Sequence, residues 1–364
     1  MDKKQRTHIP QLDGLRGLAI ILVLLVHHFN YPPLAPFFYF GFAGVDVFFV
    51  LSGFVISGIL LDTKQLKGYY KTFLARRALR TLPLYYGVLT VFAFIAPHFG
   101  TTRWFSTYQI YFWTHTSNYL FLQKGFFLPL GHFWSLAMEE QFYLIWPLVI
   151  LILKPKPLSY LCILLLITGI VLRLAFHNPY LSYGLPFAHL DGLLIGSLLA
   201  LAIRKKKDKV FHSVDQLFFF STALLVLCIA GNFLITGRHY LQMVNAFTLT
   251  IVALFFGSIL ILSLKYSLLS DLFSVRSLLF MGKYSYGVYI FDSLFYHFSN
   301  WAGADRLAPI TKLFFNAGLL IPVIVTAYLS FNWYERYFLR LKPKYKYSNK
   351  ADQSPLLVSE VVRK

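Results

Sequence analysis

The sequence predicts an all-α fold, a polytopic membrane helix bundle of about ten transmembrane helices with both termini in the cytoplasm. Of its 364 residues, 57% are hydrophobic and 13% are charged, whereas soluble domains carry about 25% charged residues. The apolar residues are gathered into runs of the roughly 20 residues that cross a bilayer. Basic residues concentrate in alternate loops between these runs, which is the pattern of a multi-pass membrane protein.

The apolar runs define the predicted spans in chain order. They cover residues 11–30, 38–61, 81–98, 131–153, 158–177, 183–203, 215–235, 241–264, 278–298 and 310–333. Segment 104–122 is apolar and aromatic but interrupted by polar residues, so we expect an interfacial or re-entrant piece. Residues 9–340 then form one membrane domain, and residues 341–364 are expected to be a basic, disordered cytoplasmic tail.

The charge distribution sets the predicted topology. The formal net charge is +19, and most basic residues fall on one side if the N-terminus is cytoplasmic. They lie in residues 64–80, 154–156, 204–209 and 265–276 and in the tail. This asymmetry satisfies the positive-inside rule for the cell inner (plasma) membrane. Because topology and attraction to an anionic lipid bilayer explain the charge, we expect no nucleic-acid partner.

The two cysteines restrict the possible chemistry. Cys162 and Cys228 both lie inside apolar runs, which excludes a disulfide framework or a cysteine-based metal site. No spacing of histidines and carboxylates favours another metal site, so we expect neither a metal nor a cofactor. A nucleophile elbow and a phosphate-binding P-loop are also missing from the sequence.

The first span carries two polar residues on one face. Arg16 and His27 are eleven positions apart, which returns a helix to within about 20° of its starting direction and advances it by about 16 Å. A neutral imidazole in a dry site can act as a base. The alternatives are that Arg16 extends its charge to the membrane surface and that His27 makes an interhelical hydrogen bond. His28 is expected to point to a different face.

Further polar groups lie in the second span and the following loop. Asp46 shares a helix face with Gly53 and could orient an imidazole, bind an arginine or cap the helix. Arg76, Arg77 and Arg80 could bind the phosphates of coenzyme A, because guanidinium groups bind phosphate bidentately. The alternative for these arginines is a topology signal.

The fourth span has a polar stripe of its own. Ser135, Glu139 and Tyr143 follow each other at intervals of four and therefore share one face. A carboxylate there could take a proton from an acceptor or pair with an arginine. Glu140 is adjacent to this stripe.

Other polar groups at or near the predicted membrane-embedded positions complete the candidates. They are His189 with Asp191, Tyr286 with Asp292, and Glu335. The Gly192-x-x-x-Gly196 pair favours close helix packing over a ligand site.

Six motifs occur in order along the chain: LDGLRGLAIILVLLVHH, GVDVFFVLSGF, RRALRTLP, FWSLAMEEQFYL, HLDGLLIGSLLA and GKYSYGVYIFD. With them the chain resembles the acyltransferase family 3 membrane proteins, whose bacterial members O-acetylate surface polysaccharides and related molecules. The likeness extends over roughly residues 9–340.

The resemblance implies a ten-helix core, acyl-CoA as the donor and a catalytic histidine. The family's arginine-x10-histidine motif falls on Arg16 and His27, and its acidic second-span position on Asp46. The arginine-rich loop associated with coenzyme A falls on Arg76, Arg77 and Arg80.

Two more family motifs lie further along the chain. The fourth-span serine and glutamate correspond to Ser135 and Glu139, with Glu140 adjacent. Relatives often end the last motif with histidine, where this chain has Asp292. That departure argues against catalytic use of this position and is compatible with a different acceptor. Some relatives carry a C-terminal hydrolase-like domain of the SGNH type, whereas this chain looks like a stand-alone transferase.

We therefore interpret the chain as an O-acyltransferase, most simply an O-acetyltransferase. It would move an acyl group from cytoplasmic acyl-CoA to a hydroxyl of an exopolysaccharide, O-antigen or lipid-linked glycan. His27 would deprotonate the acceptor, Asp46 would hold its imidazole, Glu139 would position the acceptor, and Arg16 would act on the donor. The acceptor-side or structural polar groups would be Ser135, Glu140, Asp191, Tyr286 and Asp292.

Alternatives remain at this point. His27 could itself accept the acyl group. A transporter or exporter of a small metabolite or glycan would also have many spans and embedded charges. The sequence does not identify the acceptor.

Overall fold

A computed structural model describes residues 9–30, 39–95, 102–124, 130–176, 180, 184–236, 246–301 and 303–347 of the chain. Its helices are α1 (Pro10–Phe29), α2 (Ala43–Thr63), α3 (Tyr69–Ile95), α4 (Thr102–Trp113), α5 (Ser117–Lys124), α6 (Phe133–Ile152), α7 (Pro155–Phe176), α8 (Asp191–Thr236), α9 (Thr248–Lys265), α10 (Ser267–Phe273), α11 (Arg276–Trp301), α12 (Pro309–Ser330) and α13 (Arg336–Leu339). The described residues form no β-strand, which confirms the predicted all-α class.

The long apolar helices account for the predicted spans. Within the described ranges, eight helices are long and apolar enough to cross a membrane. One of these, 191–231, leaves helical geometry at Lys206 (φ −153°, ψ 65°) and is therefore two helices joined at a kink. The 26-residue helix α11 is not among the eight and contains Lys283 and Asp292. Each of the ten predicted spans thus corresponds to a long helix or to one arm of the kinked helix.

The aromatic segment 104–122 forms two short helices, α4 and α5, joined by a turn. At 12 residues, α4 is only about 18 Å long, well short of the ~30 Å hydrocarbon core. Tyr85 and Tyr86 of α3 donate hydrogen bonds from their hydroxyls to the carbonyls of Phe112 and Trp113, at 2.8 and 3.2 Å. These helices therefore pack beside the bundle as a segment too short to span it, which agrees with the interfacial or re-entrant prediction.

Glycines allow α1 to approach α11 closely. A Cβ atom built on Gly282 would lie 1.8 Å from the carbonyl oxygen of Asp13, and one on Gly17 would lie 2.1 Å from that of Leu278. No larger residue fits without separating the two helices. This contact places the polar residues of α1 and α11 opposite each other.

A second close contact joins α2 to α8. A Cβ atom on Gly53 would lie 2.1 Å from the carbonyl oxygen of Leu193, and one on Gly196 would lie 2.2 Å from that of Val50. Gly192 packs in the same way against Phe49. The glycine spacing on α8 therefore serves helix packing, as its sequence indicated.

The C-terminal end of the described chain runs back along α3. A π-helical turn at Phe331–Glu335 follows α12, and the hydroxyl of Tyr334 donates to the carbonyl of Pro83 at 3.1 Å. Further on, the hydroxyl of Thr72 donates to the carbonyl of Lys346 at 3.4 Å. Of the segment 341–364 that was expected to be a disordered tail, residues 341–347 are described and lie along α3, while residues 348–364 lie outside the described ranges.

Candidate active site

An arginine-lined cavity opens between α1, α2, α3, α6 and α11. The cavity and its mouth hold about 680 Å³ of space free of protein atoms, which includes open solvent at the mouth. Its wall is formed by Arg16, Val45, Phe48, Phe49, Ser52, Arg77, Arg80, Thr81, Ser135, Leu136, Glu139, Tyr143, Ser285, Tyr286 and Tyr289. Cationic, hydroxyl and aromatic groups therefore face the same space.

Three of the four arginines predicted to bind the donor line this cavity. Arg16 comes from α1, and Arg77 and Arg80 come from one face of α3. A nitrogen of Arg16 lies 2.5 Å from a carboxylate oxygen of Asp13, and the guanidinium of Arg77 lies over the Tyr143 ring, 5.0 Å from its centroid. Arg76 is not part of the cavity wall. Its guanidinium lies 5.9 Å from the centre of the Tyr347 ring.

The polar stripe of α6 faces the cavity. Ser135, Glu139 and Tyr143 all line it. The hydroxyl of Ser52 donates to Glu139 at 2.6 Å, and that of Tyr143 donates to Ser52 at 3.4 Å. Glu140, one position further along α6, is not part of the wall. A carboxylate held by two hydroxyl-bearing residues therefore lies beside the arginines.

The histidines of α1 share a single carboxylate. Nδ1 of His27 lies 2.5 Å from Oδ2 of Asp292, and Nε2 of His28 lies 2.6 Å from Oδ1. The side chains of His28 and Asp292 are completely buried, whereas that of His27 is 29% exposed. Because Asp292 engages Nδ1 of His27, the tautomer with a free Nε2 is favoured, and that atom can accept a proton.

This arrangement corrects three expectations. Asp46 was expected to hold the His27 imidazole, but its carboxylate lies 3.3 Å from Nε2 of His189. Asp292 was discounted, yet it holds both neighbouring histidines. His28 was expected to point to a different helix face from His27. The Asp292 carboxylate nevertheless contacts both, because each of its two oxygens lies against one of these consecutive histidines. The His27–Asp292 pair was not predicted, because relatives often have histidine at position 292. The two residues are also 265 positions apart, so no local spacing relates them.

Hydroxyl groups of α6 and α11 in the cavity wall form hydrogen bonds near the turn that carries Asp292. Tyr289 lies on α11 one turn before Asp292, and its hydroxyl lies 2.6 Å from the hydroxyl oxygen of Ser135. The same hydroxyl of Tyr289 donates to the carbonyl of His132 at 3.1 Å. The hydroxyl of Tyr286 donates to the carbonyl of Thr81 at 2.7 Å. Sequence reasoning missed Tyr289, although its spacing from Asp292 places both on one helix face.

The remaining predicted polar residue, Asp191, lies in a buried ion pair. The guanidinium of Arg173 donates to its two carboxylate oxygens at 2.8 and 3.1 Å and to the carbonyls of Ala188 and Ala246 at 2.7 and 2.8 Å. Thr250 also donates to Asp191. This network joins α7, α8 and α9, so Asp191 has a structural role.

A family model described as an acyltransferase domain matches residues 9–335 of the chain. The sequence is 31% identical over 312 residues to the peptidoglycan O-acetyltransferase OatA of Listeria monocytogenes, covering 78% of this chain and 49% of the relative. It is also 31% identical over 316 residues to YrhL of Bacillus subtilis, which is provisionally named a peptidoglycan O-acetyltransferase, with 78% and 48% coverage.

A relative in Staphylococcus aureus, provisionally named an O-acetyltransferase, is 28% identical over 376 residues, with 92% of this chain and 58% of the relative covered. The chain thus spans about half the length of the curated relatives it matches. No solved structure matches it.

Proposed function

The chain belongs to the acyltransferase family whose model it matches, and we propose that it is an inner-membrane O-acetyltransferase. In this proposal, cytoplasmic acyl-CoA, most simply acetyl-CoA, donates the acyl group, and a glycan hydroxyl accepts it. One observation carries the proposal. The single helix α1 contributes Arg16 to the cationic cavity and also carries His27, whose imidazole is held by the buried Asp292 carboxylate.

The cavity provides the donor site in this proposal. Arg16, Arg77 and Arg80 converge there, and arginine binds phosphate oxygens bidentately. His27 lies eleven residues after Arg16 on the same helix, a rise of about 16 Å. A donor bound by its phosphates at the arginines would therefore need a long, thin arm to bring a thioester to His27. The pantetheine arm of coenzyme A has that form.

His27 and Asp292 would perform the transfer. Nε2 of His27 removes the proton from the acceptor hydroxyl, and the resulting oxygen attacks the thioester carbonyl. The carbon–sulfur bond then breaks, and the imidazolium returns its proton to the departing thiolate. The products are an O-acetyl ester and free coenzyme A, and the histidine is regenerated. The Asp292 carboxylate stabilises the transient imidazolium and fixes its tautomer.

We propose a cell-wall or surface glycan as the acceptor. The relatives that are named for a substrate are peptidoglycan O-acetyltransferases. A sugar hydroxyl matches the chemistry of a neutral imidazole base. Glu139 lines the cavity and would position a substrate group there. Its carboxylate is held in place by Ser52, to which the Tyr143 hydroxyl donates.

The direct test uses membranes that contain the protein, supplied with acetyl-labelled acetyl-CoA. We expect free thiol to appear and label to enter base-labile esters on the glycan fraction. Membranes from a strain without the protein are the control. If acetyl-CoA is not consumed, while a labelled glycan or metabolite crosses the membrane only when the protein is present, the chain is a transporter.

A further inference from the structure

The C-terminal segment after α12, residues 334–347, contacts α3 first near Pro83 and later at Thr72 and Arg76. Tyr334 contacts Pro83, Lys346 contacts Thr72, and Tyr347 lies against Arg76. The segment thus runs antiparallel to α3 and passes the turn that carries Arg76, Arg77 and Arg80. We call residues 340–347 the strap.

The strap brings another cation to this turn. Lys342 is half-buried, the turn Lys342–Lys344 packs on α3, and the charges of Arg80, Arg77 and Arg76 act on it. It does not line the cavity, whereas Arg77 and Arg80 do. Lys344, two residues further along the strap, is exposed.

The described carboxylates near these cations form no ion pair with them. In the part of the chain that the structure describes, no carboxylate lies within ion-pair distance of Arg77, Arg80 or Lys342. Asp13 and Glu335 act on Arg80 from further away, and Glu139 and Glu140 act on Arg77 in the same way. Asp13 is paired with Arg16, and Glu335 accepts a hydrogen bond from Ser330. Like charges that approach each other repel, and a bound anion would relieve that repulsion.

We propose that Lys342 binds a phosphate group of the acyl donor together with Arg77 and Arg80, so that the strap forms one side of the donor site. This inference rests on acyl-CoA being the donor. The other source of phosphate near a basic segment is an anionic lipid headgroup. The geometry favours the donor, because Lys342 is half-buried on the part of the strap that packs on α3, while Lys344 is exposed.

The test compares Lys342→Gln with the matched variant Lys344→Gln in the purified full-length protein. Loss of one charge-assisted contact is expected to raise the KM for acetyl-CoA by about 10-fold for Lys342→Gln. The kcat should stay within about twofold, because the contact is present in both ground and transition states. Lys344→Gln should leave both parameters within about twofold, and Lys342→Arg should restore most of the affinity.

Two outcomes overturn the inference. One is an equal KM for the Lys342→Gln and Lys344→Gln proteins. The other is an unchanged KM with an altered requirement for added anionic lipid, which would assign Lys342 to a headgroup. If Lys342→Gln does not fold, Lys342→Met keeps the apolar stem, and thermal protection by coenzyme A replaces the kinetic readout.

Failure of the proposed function would look different. In that case the wild-type protein would consume no acetyl-CoA. Thermal protection by coenzyme A would still decide whether Lys342 binds its phosphates.

Discussion

Replacing Asp292 by asparagine removes the charge that holds His27 while keeping the shape of the side chain. Asp292 is completely buried, and its two oxygens receive the two imidazoles at 2.5 and 2.6 Å. An asparagine offers one oxygen and one NH2 group, so it can favour the required tautomer of only one histidine. It also no longer stabilises the imidazolium. In hydrolases that use the same arrangement, this kind of change costs up to about 10⁴ in rate.

We therefore expect Asp292→Asn to lower kcat by about 10²–10⁴. The KM for acetyl-CoA should change by less than about threefold, because Asp292 is not part of the arginine-lined wall. The assay is release of free coenzyme A by purified protein, with thermal unfolding measured on the same samples.

Asp46→Asn is the matched control. Asp46 is another buried carboxylate beside a histidine, but its partner is His189. Both variants lose a buried charge and should be less stable, whereas only Asp292→Asn should lose turnover in the folded protein. Comparable losses of kcat in the two variants, or near wild-type kcat in Asp292→Asn, would refute the pairing as the basis of catalysis.

Two further predictions concern donor binding and helix packing. Arg77→Gln and Arg80→Gln should each raise the KM for acetyl-CoA by about 10-fold or more. Arg76 lies outside the cavity wall, so Arg76→Gln should raise the KM less. Equal effects of all three substitutions in steady-state kinetics would contradict the geometry. Gly282→Ala should abolish accumulation of folded protein, because its Cβ would lie 1.8 Å from the carbonyl oxygen of Asp13. A Cβ atom on Gly318 would meet nothing within 4 Å, so Gly318→Ala should give a normal yield of folded protein, measured by size-exclusion chromatography. Equal yields of the two variants would show that α1 and α11 are not in close contact.

The helices could be predicted because lipid requires long apolar segments with internally satisfied backbones. Helical periodicity also predicted which residues within one helix share a face. It placed Arg16 with His27, and Ser135 with Glu139 and Tyr143. In the structure, Arg16 and the whole α6 stripe line the cavity.

Contacts between helices could not be predicted in the same way. Asp292 lies 265 positions after His27, and periodicity carries no information over that distance. Asp46 is a carboxylate that could orient an imidazole and matches the family's acidic second-span position, but in the structure it lies beside His189. The strap was also missed, because its basic composition resembles that of a disordered tail, whereas its position depends on contacts with α3.

The turnover of His27→Gln tests the central claim most directly. Glutamine is similar in size and can hydrogen-bond to Asp292, but it cannot take up a proton. The account predicts normal membrane insertion, retained thermal protection by coenzyme A and a kcat reduced by about 10²–10⁴. His28→Gln, which alters a completely buried histidine on the same carboxylate, should lose more stability and less turnover. A folded His27→Gln protein with turnover within a few-fold of wild type would contradict the account and move the search for the base to Glu139.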